Sequence, residues 1–163
     1  MTPGLFAILS AVFVVLFAAL AFFGWQSRSK RHPGLVEPSE PTADFVADFS
    51  VEALYVASTV HEQPYERITR YEFGFRAPCV IQVGNTGAVI ELPKRNVFIA
   101  RSAMLAAGPA TWTIDRVVEP GGMVCLTWDL GETTLDTYVR VRSDQAHLIS
   151  YLQSLTGESE ATA

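Results

Sequence analysis

The chain has 163 residues, of which 49% are hydrophobic and 18% charged, and its formal net charge is −5. Much of the hydrophobic excess comes from one run, Leu5 to Phe23, whose 19 residues include no charge and a single polar side chain, Ser10. About 20 such residues form a helix long enough to cross the hydrocarbon core of a bilayer. The sequence therefore predicts a single-pass membrane protein and argues against a soluble protein, a multi-pass transporter or a channel.

Basic residues follow the apolar run: Arg28, Lys30 and Arg31. Basic flanks stay on the cytoplasmic side of a membrane, so we expect the N-terminus outside and everything after Phe23 in the cytoplasm. This predicts a cell-membrane location. The same cations are also possible contacts for anionic lipid headgroups or a partner beside the span, although polybasic lipid-binding stretches usually contain more of them.

Composition divides the chain into four predicted segments. Residues 1–27 form the anchor, and residues 28–43 form a basic and proline-rich linker, since Pro33, Pro38 and Pro41 oppose any helix or strand. Residues 44–156 form the folded domain, and residues 157–163 form a small, polar, disordered tail. We expect the linker to contribute nothing to the core.

The cytoplasmic part is acidic. From His32 onward there are nine Lys and Arg against 17 Asp and Glu, a net charge of −8. Nucleic-acid binding needs a basic face, so the sequence predicts no nucleic-acid partner.

From residue 44 onward, apolar and polar residues alternate with a period of two, which predicts β-strands. About seven are expected, over Leu54–Val60, Ile68–Arg76, Val80–Val83, Ala88–Leu92, Thr111–Val118, Val124–Leu130 and a return strand from Leu135. Gly131-Glu132 favours a type II′ hairpin between the last two, and residues 84–87 favour a second hairpin.

The C-terminal segment changes period. Leu148, Tyr151, Leu152 and Leu155 are spaced as on one face of a helix. The sequence thus predicts a mostly β fold, a strongly bent antiparallel sheet or half-open barrel, with this helix plugging one end.

Several segments are similar to a known family: GWQSRSKR after the anchor, YVASTVHEQPYERI, FGFRAPCVIQV with AVIEL, and LTWDLGETTLDTYVR. They resemble actinobacterial single-pass membrane proteins with a pleckstrin-homology (PH)-like domain, most specifically in the strand Leu135 to Arg140 after a glycine turn. The chain departs from the family at Pro120-Gly121-Gly122, which lacks the Lys of a Gly-Lys turn. The resemblance implies a PH-like half-open barrel of about seven strands with a C-terminal capping helix, displayed to the cytoplasm, and it implies no catalysis.

The residues that most often carry chemistry are few. Cys79 and Cys125 lie in apolar strand contexts, which predicts buried free thiols in a reducing compartment. The spacing typical of metal ligands is not found between these cysteines and the three histidines, His32, His61 and His147. We therefore expect no catalytic residue, no cofactor and no metal, and hence no enzyme.

Two groups of residues are candidate contacts. Asp136, Tyr138 and Arg140 alternate along one strand, so they form either a polar recognition strip or an ordinary solvated face. Lys94, Arg95 and Arg101 form the most basic part of the domain, and they either contact a membrane or partner or lie in a solvated connector.

The sequence favours a membrane-anchored, non-enzymatic interaction or scaffolding module that binds a protein partner at the cytoplasmic membrane face. The alternatives are a lipid-sensing module and an accessory subunit of a membrane transport or cell-envelope complex.

Overall fold

The computed structural model describes residues 3–29, 34–110, 112–113, 116–117 and 122–156. The chain divides into two compact units, Met1–Pro33 and Gly34–Ala163. In the first unit, helix α1 spans Pro3–Ser29, and its described large apolar side chains, from Val12 to Phe23, are each more than half exposed. Among the described residues, no helix meets the length and apolarity needed to cross a bilayer. The membrane span predicted from the sequence therefore remains a prediction.

Within its described residues, the second unit contains ten strands and a C-terminal helix. The strands are β1 (Phe49–Val60), β2 (Gln63–Arg67), β3 (Ala77–Gly84), β4 (Gly87–Leu92), β5 (Arg95–Ala100), β6 (Met104–Ala110), β7 (Trp112–Thr113), β8 (Arg116–Val117), β9 (Met123–Leu130) and β10 (Thr133–Val141). A 3-10 turn, Arg101–Ala103, joins β5 to β6, and helix α2 spans Gln145–Thr156.

Most strands belong to one antiparallel sheet in the order β5-β4-β3-β1-β10-β9-β6. Strand β2 pairs with β1 outside this path, and β7 and β8 form a separate two-stranded sheet. The central position of β1, between β3 and β10, joins the two halves of the chain. Seven antiparallel strands in a half-barrel with a C-terminal helix confirm the mostly β part of the predicted fold class.

The hairpin of β9 and β10 follows the predicted alternation. Leu135 pairs with Trp128 and Thr137 with Leu126, and all four side chains are buried. Gly131 has a φ of +64°, whereas Glu132 has no positive φ, as a type II′ turn requires. The predicted turn between β3 and β4 is also confirmed, because β3 ends at Gly84 and β4 begins at Gly87.

The prediction of a strand over Ile68–Arg76 is wrong, because these residues form turns. Tyr71 and Glu72 both have positive φ values, which a strand does not allow. Ile68 and Phe73 are buried in the core. Their apolar spacing therefore reflects two anchors of a loop and not the alternation of a strand.

Three strands, β2, β5 and β6, were not predicted. Strand β5 begins directly after the turn at Pro93-Lys94, in a stretch that the sequence analysis treated as basic. Strand β6 consists mostly of small residues and includes Gly108 and Pro109, which obscure a period of two. The predicted strand Thr111–Val118 covers β7 and β8, while residues 111, 114, 115 and 118 lie outside the described part.

Helix α2 closes one end of the half-barrel, as predicted. Leu148, Leu152 and Leu155 are buried in the main core. At the rim, Tyr151 donates a hydrogen bond to Asp48 Oδ2 (2.8 Å), and Gln153 donates one to the Ala107 carbonyl of β6 (3.0 Å). The helix thereby covers β6.

The segment 34–42, which we call the strap, packs against the domain, although the sequence analysis expected a linker without core residues. Leu35 is buried in the main core, and its carbonyl accepts a hydrogen bond from the Tyr71 hydroxyl (3.1 Å). The Ser39 carbonyl accepts one from the Phe98 amide of β5 (2.8 Å). Prolines prevent a continuous strand in this segment, but they leave carbonyls that accept single hydrogen bonds at the β5 edge.

Candidate functional site

The structure divides the predicted strip of Asp136, Tyr138 and Arg140. All three lie on β10, but Asp136 and Tyr138 are each only 9% exposed, and Arg140 alone is exposed. Neither predicted interpretation describes this arrangement, since two of the three side chains face neither solvent nor an open recognition surface.

Tyr138 is buried because the sheet has a second, smaller apolar cluster. The pairing of β1 with β10 shifts between Tyr55 and Ala57, so Val56 is an extra residue on β1. Val56, Ala57 and Tyr138 pack together with Met123 in this cluster. Burial raises the pKa of Tyr138 to about 12. The tyrosine therefore packs as an apolar ring here and is not available as an acid near neutral pH.

Asp136 belongs to a polar cluster that includes a histidine to which sequence analysis gave no role. His61 Nδ1 lies 2.9 Å from Asp136 Oδ1, and the Thr127 hydroxyl donates to the same oxygen (2.7 Å). The His61 amide also donates to the Thr134 carbonyl (2.9 Å). These contacts hold the turn after β1 against β10.

Among the described residues, the cluster pairs a histidine with a carboxylate without a third side chain that could complete a metal site. Thr127 donates its proton to Asp136 and not to His61, so its hydroxyl is not placed as a nucleophile that the histidine could activate. Within the described ranges, no group of three or more His, Cys, Asp or Glu side chains is arranged to hold a metal ion. The contacts join the turn after β1 to strands β9 and β10, so they stabilise the fold.

Lys94 and Arg95 lie at the turn between β4 and β5 and make contacts within the domain. The Lys94 amide donates to Glu72 Oε2 (3.1 Å), and its ammonium lies 3.8 Å from Glu72 Oε1. The Arg95 guanidinium donates to Glu37 Oε1 of the strap (2.8 Å) and lies over the Tyr71 ring. Arg95 thus helps to hold the strap in place.

Arg101 lies at the other end of β5, about 20 Å from Arg95 at the usual rise of a strand. Its Nε donates to the Leu155 carbonyl of α2 (3.2 Å). The basic side chains of the domain that the sequence singled out do not converge on one pocket. Of the juxtamembrane cations, Lys30 and Arg31 lie outside the described residues, and Arg28 lies in α1 with its side chain outside them.

Arg140 lines a shallow groove of about 310 Å³ on the outer face of β1, β3 and β10. We call it the outer groove, and its lining residues are Glu52, Ala53, Leu54, Pro78, Arg140 and Arg142. Leu54 pairs with Arg140 on one side and with Pro78 on the other, so the groove runs across the strands. Leu54 is 38% exposed at its centre.

Arg140 lies near the end of β10 and Arg142 lies in the bend directly after it, and both line the outer groove. Both are exposed, and within the described part of the chain neither guanidinium has an ion pair or hydrogen bond. The sequence pattern indicated Arg140 as a candidate contact but not Arg142, Leu54 or Pro78. Only the register of three strands that are distant in the chain brings these residues together.

A second depression of about 460 Å³ continues the outer groove towards β4. It shares Glu52 and Pro78 with the outer groove and adds Val80 and Glu91. Glu91 accepts a hydrogen bond from the Gln82 amide (2.9 Å). The combined surface therefore carries two arginines at its β10 side, Glu52 on the neighbouring strand β1, and Glu91 on β4.

Comparison with known proteins identifies one family. The sequence model of the family described as Bacterial PH domain-like matches residues 33–153, a range that includes the strap and every strand of the second unit. A comparison with curated proteins gives no match.

Proposed function

Because the chain belongs to the Bacterial PH domain-like family, we propose that it is a non-enzymatic interaction module, anchored in the cell membrane, that binds a protein partner through a PH-like domain displayed to the cytoplasm. A PH-like domain suggests binding of proteins or lipids, but a fold alone does not set a function. The proposal therefore depends on the chemistry of the surface.

The observation that carries the proposal is the outer groove. It combines an exposed apolar centre at Leu54 with two guanidinium groups, Arg140 and Arg142, that have no partner among the described residues. Arginine beside an apolar contact is typical of protein interfaces, because it gains directed hydrogen bonds when water is removed.

Anchoring is proposed from the sequence of the first unit. The uncharged run from Leu5 to Phe23 has the length of a membrane span, and Arg28, Lys30 and Arg31 follow it as cytoplasmic flanks do. An anchor would confine the domain near the bilayer, and this raises its effective concentration towards any membrane-bound partner.

A lipid-sensing function has less support. Binding of a phosphorylated headgroup needs several converging cations, whereas Lys94 and Arg95 contact Glu72 and Glu37, and Arg101 contacts α2. Residues 44–156 also carry nine Lys and Arg against 13 Asp and Glu, a net charge of −4. An anionic bilayer would repel such a domain on average.

Photo-cross-linking in membranes tests the proposal. The full-length chain carries a photoreactive amino acid in place of Leu54, and a control carries it at the exposed Glu132 in the turn of β9 and β10. We expect protein adducts from position 54, none from position 132, and a lower yield when residues 1–29 are deleted. Adducts to lipid alone, or equal protein adducts from both positions, would contradict the proposal.

A further inference from the structure

Charges of both signs lie together with apolar side chains in the outer groove. Glu52, Leu54, Pro78, Arg140 and Arg142 all line it, and all five are exposed. Within the described part of the chain, neither Glu52 nor either arginine has an ion pair or a hydrogen bond. The described residues therefore leave this surface without an intramolecular partner.

The strand register gives the positions of these charges around Leu54. Arg140 of β10 lies directly across from Leu54 of β1. Glu52 lies two residues from Leu54 along β1, and because Ala53 pairs with Val141, Glu52 lies opposite position 142. With a strand spacing of about 4.8 Å and a rise of about 7 Å over two residues, the Cα atoms of Arg140 and Glu52 are about 8 Å apart. A cation and an anion thus flank one apolar residue on adjacent sides.

This arrangement is complementary to itself. When two copies of a sheet meet face to face about a two-fold axis, two residues contact each other reciprocally if the axis passes midway between them. An axis midway between Arg140 and Glu52 therefore pairs each of them with the other residue of the second copy. Leu54 is about 5 Å from Arg140 and about 7 Å from Glu52, so it lies close to this axis and faces Leu54 of the second copy.

Arg142 is compatible with the same arrangement. It also lies near the axis, where it approaches Arg142 of the second copy, and like charges oppose this contact. Each Arg142, however, lies opposite the Glu52 carboxylate of its own copy, which offsets the repulsion. The two oxygens of that carboxylate can then accept from Arg142 of the same copy and from Arg140 of the second copy.

The charge of the domain selects this face for contact between copies. Residues 44–156 carry nine Lys and Arg against 13 Asp and Glu, so two domains repel each other in most orientations. On the outer groove and the second depression, Arg140 and Arg142 balance Glu52 and Glu91. Two copies that meet through this face therefore avoid net repulsion. An anionic bilayer, in contrast, would be repelled by the two carboxylates.

Anchoring would lower the affinity that such a contact needs. A second copy carries the same uncharged run from Leu5 to Phe23, so both copies would be confined to one membrane. Confinement raises their effective concentration towards each other. Two symmetry-related ion pairs and a small apolar centre can then hold the copies together.

We propose that the outer groove binds the outer groove of a second copy of this chain, in a symmetric dimer in which Arg140 of each copy contacts Glu52 of the other around the two Leu54 side chains. This inference rests on the proposed protein-binding function and names the partner.

Photo-cross-linking between tagged copies tests the proposal. Full-length chains with two different tags are produced in one membrane, and both carry a photoreactive amino acid in place of Leu54. We expect an adduct of twice the mass of the chain that contains both tags. The same pair of chains with the photoreactive amino acid at the exposed Glu132 should give no such adduct.

Charge reversals provide the decisive comparison. R140E and E52R should each lower the yield of the adduct about tenfold, because each variant places like charges at both symmetry-related contacts. The double variant should recover the yield, since its contacts again join opposite charges. R140E produced together with E52R should recover it as well, because one chain then supplies both anions and the other both cations. E132R is the matched control and should leave the yield unchanged.

Thermal unfolding of the same variants shows whether a lower yield reflects the contact or the fold. Since the substituted side chains are exposed, we expect the same midpoint in every variant. Recovery of the adduct by mixing two single variants cannot arise from a folding defect in either one.

The proposal fails if position 54 forms adducts only with other proteins. It also fails if the doubled adduct forms equally well with R140E and E52R, because the copies would then meet through another surface. Both results leave the proposed function intact, since position 54 still contacts a protein. Adducts to lipid alone, or no adduct from position 54, would remove the proposal and the proposed function together.

Discussion

Four polar side chains form a hydrogen-bonded chain inside the apolar core. Trp128 Nε1 donates to Thr137 Oγ1 (2.9 Å), which lies 2.7 Å from Ser58 Oγ. Ser58 Oγ lies 2.7 Å from the Tyr55 hydroxyl, which donates to the Phe73 carbonyl (3.2 Å). If each hydroxyl donates to the next, every donor in the chain is satisfied, and the last bond ties the loop after β2 to the core.

Breaking this chain should be costly. Thr137→Val keeps the shape of the side chain but leaves the Trp128 N–H without its acceptor and removes one of the two partners of the Ser58 hydroxyl. We expect a loss of about 2 to 3 kcal/mol in the free energy of unfolding, measured by denaturant titration. Thr134→Val on the same strand removes a half-buried bond to Asp129 and should cost less than about 1 kcal/mol. Equal losses in the two variants would contradict the role of the buried chain.

The two thiols should react slowly in the folded protein. Burial raises the pKa of Cys79 from 9.0 to about 11 and that of Cys125 from 9.0 to about 12. The reactive species is the thiolate, so at pH 8 we expect a disulfide reagent to label the native chain about 100-fold more slowly than the urea-unfolded chain.

The pH dependence follows from the same shifts. The labelling rate of native Cys79 should rise about tenfold per pH unit between pH 8 and 10, and a rate that levels off near pH 9 would contradict its burial. Because the folded-state pKa of Cys79 is the higher one, its contribution to stability is fully present below about pH 9. That contribution is lost as the pH rises from 9.0 to about 11.

At the scale of elements, the strap and the loop over residues 68–76 close the same part of the half-barrel. Tyr71 of the loop donates to the Leu35 carbonyl, and Arg95 lies over the Tyr71 ring while it contacts Glu37. Val36 lies so close to the turn of β9 and β10 that a Cβ added to Gly131 would be 2.7 Å from its Cγ2 atom. The strap therefore acts as an additional layer of the fold.

Shortening a side chain of the strap should destabilise the domain. Leu35→Ala removes a side chain that is only 5% exposed, and we expect a loss of about 2 to 4 kcal/mol in the free energy of unfolding. Val36→Ala, at the neighbouring position that is 53% exposed, should cost less than about 1 kcal/mol. A strap that merely rested on the surface would give similar small losses for both variants.

At the scale of the whole molecule, the proposed orientation has a direct test. A reporter that is active only in the cytoplasm, fused after Ala163, should be active, since Arg28, Lys30 and Arg31 follow the apolar run. Replacing these three residues by Gln should lower the reporter's activity, because the charge difference across the run is lost. Activity only from a reporter that requires the opposite side of the membrane would overturn the orientation and the expectation of a reducing environment for the thiols.

The sequence by itself determined the elements whose signals are local. Alternation with a period of two and a glycine turn specified the hairpin of β9 and β10, and the stripe of Leu148, Leu152 and Leu155 specified α2. These patterns can be recognised in the sequence because neighbouring residues along the chain set both the backbone conformation and the face that is buried. The mostly β fold and its C-terminal helix follow from them.

Only the tertiary structure decided which polar residues are buried and which surface is open. Asp136 and Arg140 belong to the same alternating row, yet the first contacts His61 and the second lines the outer groove. Leu35 enters the core from a proline-rich segment that has no periodic pattern. Burial of this kind depends on the register and contacts of strands far apart in the chain, and local sequence patterns carry no information about it.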